Sequence, residues 1–165
     1  MANWDVCYNW MLDNEDEGRK YAAVPDCGGQ AISGINSAVF PLQFAKIAAI
    51  PQAERGVEVE NFYKAEFWNQ WLEQIESDDV AKRVFDASVN MGGVPAVRCL
   101  QEACGGGLAT DGSFGPATVT AVNAAPSGQL VEAFKQARTN VYRRIVAQYP
   151  DKGVYLNAWL ARALK

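Results

Sequence analysis

Apolar side chains recur along this chain at the three- and four-residue steps of helices far more often than at the two-residue step of strands. Trp4, Cys7, Tyr8, Met11 and Leu12 form one face of a helix expected over roughly residues 3–14. Residues 21–36 lose that period and collect turn formers, Pro25-Asp26-Cys27-Gly28-Gly29 and Ser33-Gly34, which predict a loop or a short irregular hairpin. Helical spacing resumes between Pro41 and Pro51, then runs through Val59, Phe62, Tyr63, Phe67, Trp68, Trp71, Leu72 and Ile75. A further helix is expected from an N-cap at Ser77 to the stop at Asn90-Met91-Gly92-Gly93, followed by helical segments at 96–104, 116–123, 129–148 and 153–163. The expected fold class is therefore mainly α. Phe85, Val89, Leu100, Phe114 and Trp159 are expected to supply core.

The 165 residues suffice for a substantial buried core, and no apolar run approaches the ~20 residues of a bilayer-spanning helix. A net charge of −4 is the wrong sign for neutralising phosphates, so nucleic acid is not an expected partner, nor is membrane insertion; a monomer is expected. The first twelve residues lack the basic start and unbroken apolar stretch of a secretory signal, so synthesis in the cytoplasm is expected.

Histidine is absent, which removes Ser-His-Asp and Cys-His machinery, imidazole bases and His-ligated metals. The four cysteines contain no C-x-x-C pair and read first as free, mostly buried thiols, with a disulfide as the second reading. No metal or cofactor is expected. Acid-base chemistry then falls to carboxylates, Lys, Tyr or Cys. The densest carboxylate run is Asp13-Asn14-Glu15-Asp16-Glu17-Gly18, at or just past the end of the first helix, where the dipole disfavours negative charge.

In the second half, Leu100-Gln101 followed by Asp111-Gly112-Ser113-Phe114-Gly115-Pro116-Ala117-Thr118 resembles the peptidoglycan-binding modules of cell-wall enzymes. The same residues also make sense as scaffold, with Thr118 capping the helix it begins. In the first half, Glu17-Gly18 through Tyr21 to Asp26-Cys27-Gly28-Gly29 and Gly34-Ile35 resembles the E-G-G-Y…D-x-G-G-x-T-x-x-G-I signature of glycoside hydrolase family 108, the phage-type N-acetylmuramidases. The blocks Tyr63 to Phe67-Trp68, Phe85-Asp86 to Val89-Asn90 and Gly92, and Leu156 to Trp159-Leu160-Ala161-Arg162 are similar to later blocks of that family, in the same order.

The resemblance implies a lysozyme-like helical region over 1–93 and a peptidoglycan-binding-like helical region over 94–165, packed together. It implies an endolysin-type muramidase that cleaves the β-1,4 bond between N-acetylmuramic acid and N-acetylglucosamine, with peptidoglycan strands as its partner in the periplasm after release. Asp26 stands nine positions beyond Glu17, the separation in the family motif, so the resemblance makes Glu17 rather than Glu15 the catalytic acid and Asp26 the second carboxylate. Tyr21, Ser33, Tyr63 and Asn90 are the implied substrate-binding positions. Ser33 is a candidate substitute for the motif threonine, which falls on Ala31. A raised-pKa Glu and an ionised Asp can divide glycoside hydrolysis without histidine. The alternatives are a lytic transglycosylase, for which one Glu suffices, and a non-catalytic wall-binding phage protein. With no His and no cysteine cluster, digestion of purified sacculi should proceed unchanged in excess EDTA; loss of activity restored by zinc or calcium would contradict this.

Overall fold

The computed structural model describes residues 1–165 as nine α-helices and a three-stranded antiparallel sheet. The helices are α1 (Trp4–Glu15), α2 (Pro41–Ala48), α3 (Gly56–Glu66), α4 (Gln70–Glu73), α5 (Asp78–Met91), α6 (Gly93–Cys104), α7 (Pro116–Ala124), α8 (Ser127–Gln148) and α9 (Leu156–Ala163). The strands are β1 (Ala23–Asp26), β2 (Gly29–Ile32) and β3 (Ile35–Asn36). The mainly α, lysozyme-like expectation holds. The chain divides into two compact units, 8–68 and 1–7 with 69–165.

In the unit of residues 8–68, the segment expected as a loop or irregular hairpin is a meander in which β2 pairs with β1 on one side and β3 on the other. All four β1 residues are exposed, so no alternation marks the strand in sequence. It is an edge strand, where Pro25 costs no ladder bond. Helix α2 packs on β2 and β3 and also meets α3. Ile32, Ile35, Ile47 and Val59 are buried, and the rings of Tyr8, Phe40, Phe62, Tyr63 and Phe67 form a continuous edge-to-face and tilted cluster. Arg55 donates to the carbonyls of Ala48 and Ile50, satisfying the end of α2, and to the carbonyl of Tyr21.

The run from Val59 to Ile75, read in sequence as one helical stretch, breaks at residues 67–69. Asn69 is extended (φ −139°, ψ 166°) and its side chain accepts from the backbone N–H groups of Trp71 and Leu72. An Asn N-cap makes starting a new helix cheaper than continuing the old one.

In the other unit, α5 and α6 pack on each other and on α8, and α7 and α9 also lie against α8. Phe85 and Leu100 are fully buried, whereas Val89, Phe114 and Trp159 are only half-buried. Trp159 stacks between Tyr142 and Tyr155, at centroid distances of 5.2 and 5.6 Å. Ser77 occupies the N-cap of α5 without a side-chain bond to it. Helix α5 instead carries acids in its first turn, with Asp79 paired to Lys82 and Arg83.

Asp86 of α5 is fully buried and bridges two arginines, Arg138 of α8 at 2.8 Å and Arg162 of α9 at 2.7 Å. Two of the motif blocks, Phe85-Asp86 and Trp159 to Arg162, therefore meet through one ion pair. Removing the shared carboxylate strands two guanidinium groups, one of them 1% exposed. Asp86→Ala is expected to lower unfolding stability by ~3–5 kcal/mol, read from the urea midpoint.

Candidate active site

The acidic run after α1 separates into three environments. Glu15 is the last residue of α1 and half-buried. Its carboxyl lies against Gly34: a Cβ built on that glycine would stand 2.8 Å from the Glu15 carboxyl carbon and 2.8 Å from the Tyr63 hydroxyl. Gly34 has φ +82° in the turn joining β2 to β3, so its missing side chain serves both the turn and the space the carboxyl occupies.

Asp16 is consumed by structure. Its carboxylate accepts from the backbone N–H of Lys20 (3.0 Å), the backbone N–H of Tyr21 (2.7 Å) and the Ser33 hydroxyl (2.6 Å). These bonds tie the turn after α1 to the β2–β3 turn and hold Gly18, Arg19, Tyr21 and Ser33 at positive φ. Three of the four are not glycine, so the segment carries backbone strain that Asp16 offsets. Gln52 secures the same segment through the Lys20 carbonyl. Glu17 lies within that turn and is exposed.

Tyr63 is buried, 1% exposed, and donates from its hydroxyl to the Ser33 carbonyl at 2.6 Å. Ser33 is buried with its hydroxyl turned to Asp16. Tyr21 is half-buried with its ring against Gly56, and burial pushes its phenol above the ordinary tyrosine range. Burial does the same to Tyr8, with lesser contributions from Tyr21 and Glu60.

Asp26 closes β1 at the far end of the sheet. The pairings Asp26 with Gly29 and Ala31 with Asn36 put these four residues on one face, and the small side chains of the central strand let Asn36 reach across it. The Asn36 amide donates to Asp26 Oδ2 at 2.8 Å and to the Cys27 carbonyl at 3.0 Å, while the Cys27 N–H donates to Asp26 Oδ1 at 2.7 Å. Ala31, where the motif threonine falls, lies on the Asp26 face, whereas Ser33 faces Asp16; the polar neighbour of Asp26 is Asn36, which nothing in the sequence singled out. Four residues of β2, at ~3.3 Å each, separate the Asp26 end of the sheet from the turn holding Gly34 by roughly 13 Å.

Asn90 belongs to the unit containing 69–165, where its side-chain oxygen accepts from the Tyr142 hydroxyl and from Arg138 at 3.5 Å. In that unit the Gln101 amide donates to Asp111, the Ser113 carbonyl and Thr118, and its carbonyl accepts from the Gly112 N–H. Thr118 does not cap α7; its hydroxyl donates to the Ser113 carbonyl inside the loop. Gln101 is thus the knot that folds the Asp-Gly-x-x-Gly-Pro loop over a cavity of about 190 Å³. A groove of about 240 Å³ runs between α2 and α3, lined by Ile47 and Phe62 and rimmed by the Lys46–Glu58 ion pair. No group of three or more His, Cys, Asp or Glu side chains is placed to hold a metal, and no helix is long and apolar enough to cross a membrane.

Residues 11–92 match the family described as Glycosyl hydrolase 108, and residues 95–164 match the family described as Predicted Peptidoglycan domain. Among solved structures, that of Brucella abortus SagA is similar over 98% of this chain and 93% of its own, with a TM-score of 0.64 and 19% identity. No curated protein matches.

All four cysteines are free, and only Cys27, beside Asp26, is exposed. Burial pushes the thiols of Cys7 and Cys99 up to about 12 and about 11. Native protein at pH 8 should therefore show one rapidly modified thiol toward a disulfide reagent, and Cys27→Ser should abolish it; rapid modification of Cys7 or Cys99 would mean those helices open readily.

Proposed function

We propose, for a chain that belongs to glycosyl hydrolase family 108 and is a glycoside hydrolase acting on peptidoglycan, that it is an endolysin-type N-acetylmuramidase whose general acid is Glu15. The observation that carries the reading is the sorting of the three acids. Glu15 sits against Gly34 beside the Tyr63 hydroxyl, Asp16 is occupied by three donors, and Glu17 projects from an exposed turn. Counting along the chain favours Glu17, but the turn between α1 and β1 carries residues that the count cannot distinguish from helix. What a general acid needs is a fixed carboxyl on rigid support, and a helix end backed by a sheet turn supplies it.

In this reading Glu15 protonates the glycosidic oxygen as the bond to C1 of N-acetylmuramic acid breaks, and water completes the cleavage at the oxocarbenium-like centre. Asp26, held in one orientation by the Cys27 N–H and the Asn36 amide, is the candidate to stabilise that centre or to direct the water. Tyr63 and Ser33 then act from below the site rather than on the sugar, because both side chains are buried and committed to the β2–β3 turn and to Asp16. Tyr21, partly exposed and held by Arg55 and Asp16, remains the aromatic candidate for sugar contact. The place of Asp26 at the opposite end of β2 favours one second reading. A lytic transglycosylase needs only the single acid, the muramic acid's own 6-hydroxyl replacing water.

Glu15→Gln should lower the release of fragments from purified sacculi by ~100-fold or more, with little change in thermal stability, while Glu17→Gln keeps most activity. Reducing ends in the mass spectrum of the digest would mark hydrolysis, and anhydro-muramic ends transglycosylation. Loss of activity in Glu17→Gln with Glu15→Gln active would return the acid's role to Glu17, and intact glycan with bound wild-type protein would mark a non-catalytic binder.

A further inference from the structure

We infer that Tyr63 is a positioning residue that keeps Glu15 in its proton-carrying form by presenting an oxygen acceptor, not a donor, to its carboxyl. The inference deepens the reading of Glu15 as general acid and rests on it. Its basis is the wiring around Gly34. The Glu15 carboxyl and the Tyr63 hydroxyl flank the same point, where glycine has no side chain, so they are neighbours across the space of one methyl group. A phenol has a single proton. That of Tyr63 goes to the Ser33 carbonyl at 2.6 Å. What its oxygen turns to a neighbour is a lone pair.

A lone pair beside a carboxyl discriminates between protonation states. The neutral acid can donate its O–H to it; a carboxylate meets it as one acceptor facing another. The discrimination requires that the phenol keep its proton directed at the Ser33 carbonyl, and the packing of the ring and the anchoring of that carbonyl hold the two in place. The ring is buried among Tyr8, Phe62 and Phe67, at centroid distances of 6.3, 5.2 and 5.9 Å. The accepting carbonyl is pinned because Ser33, at φ +47°, is tied by its own hydroxyl to Asp16. The strained turn thereby acquires a purpose: it aims a carbonyl at the phenol and so fixes which way the phenol's proton points.

The other groups at this corner do not replace Tyr63. The segment from Gly29 to Asn36 contributes no ionisable side chain. From α1 and the following turn come Asp13, Asp16, Glu17, Arg19, Lys20 and Tyr21, and from α3 comes Glu60; Tyr8 lies between them. Arg19, the cation nearest by sequence, pairs with Asp13 at 3.2 Å and with the Asn9 side chain at 2.7 Å, and its charge also reaches Tyr8 and Tyr21. Asp16 spends its carboxylate on the turn.

The test is a carboxyl ¹³C titration of full-length protein labelled at glutamate, with the Glu15 resonance assigned by its loss in Glu15→Gln, alongside the pH–rate profile on purified peptidoglycan. In the wild type the Glu15 carboxyl should titrate clearly above the ~4.3 of an ordinary glutamate. In Tyr63→Phe it should fall by about one pH unit, and the alkaline limb of the rate profile should move down with it, as expected when the neutral acid loses a hydrogen-bond acceptor. An unchanged or higher Glu15 value in Tyr63→Phe would overturn the inference, the latter because it would mean the phenol donates to the carboxylate. Should Tyr63→Phe fail to fold, a wild-type Glu15 value at or below the ordinary one overturns it alone. If the resonance shifts as expected but the rate profile does not follow, Tyr63 does control Glu15 and it is the assignment of Glu15 as general acid that falls.

Discussion

The absence of a side chain at position 34 is the constraint on which the candidate site depends. With φ +82°, Gly34 permits the tight connection from β2 to β3, and its bare Cα leaves the volume into which the Glu15 carboxyl and the Tyr63 hydroxyl both fit. Any Cβ there would press on the carboxyl and the phenol together. Helix, sheet and α3 thus converge on one missing methyl group, and what surrounds it serves to hold that convergence still.

Asp16 and Arg55 do most of the holding, by the same device. Each is a charged group used on backbone: Asp16 on two N–H groups and a hydroxyl, Arg55 on three carbonyls. Charge-assisted bonds of this kind are the stronger class, which suits a segment with three non-glycine residues at positive φ. The other unit uses charge differently. Asp86 is buried between Arg138 and Arg162, so that one carboxylate joins α5 to α8 and α9. Gln101 does a similar task with a neutral amide, satisfying donors and acceptors of the Asp-Gly loop at once.

An acidic run at a helix end looks in sequence like a single feature, yet its members divide by angle around the helix axis and by what the next turn brings back. Glu15 still has helical geometry and points where α1 points; Asp16 has left the helix and can bond forward to Lys20 and Tyr21; Glu17 belongs wholly to the turn. Motif spacing counts residues and is blind to this, because an irregular turn can absorb added residues without moving the strands on either side. Ser33, the candidate substitute for the motif threonine, lies two residues beyond Ala31. Two residues along a strand keep a face, but Ser33 has left the strand, and the residue across from Ala31 is Asn36.

The helical class, the positions of most helices, the absence of histidine chemistry and the family resemblance were all legible along the chain. These depend on local periodicity, on composition and on the order of short blocks, all of which are written along the chain. The sequence also placed α1 to within a residue at each end, since five apolar positions at helical spacing leave little freedom. The tertiary structure alone decided that the loop is a sheet with an exposed first strand, that the Val59 to Ile75 run breaks at Asn69, and that Asp86 joins two distant arginines. It alone sorted Glu15, Asp16 and Glu17 into three environments. Each of those outcomes rests on hydrogen bonds or packing between residues far apart in the chain, and such pairings are set by which groups fold back onto one another.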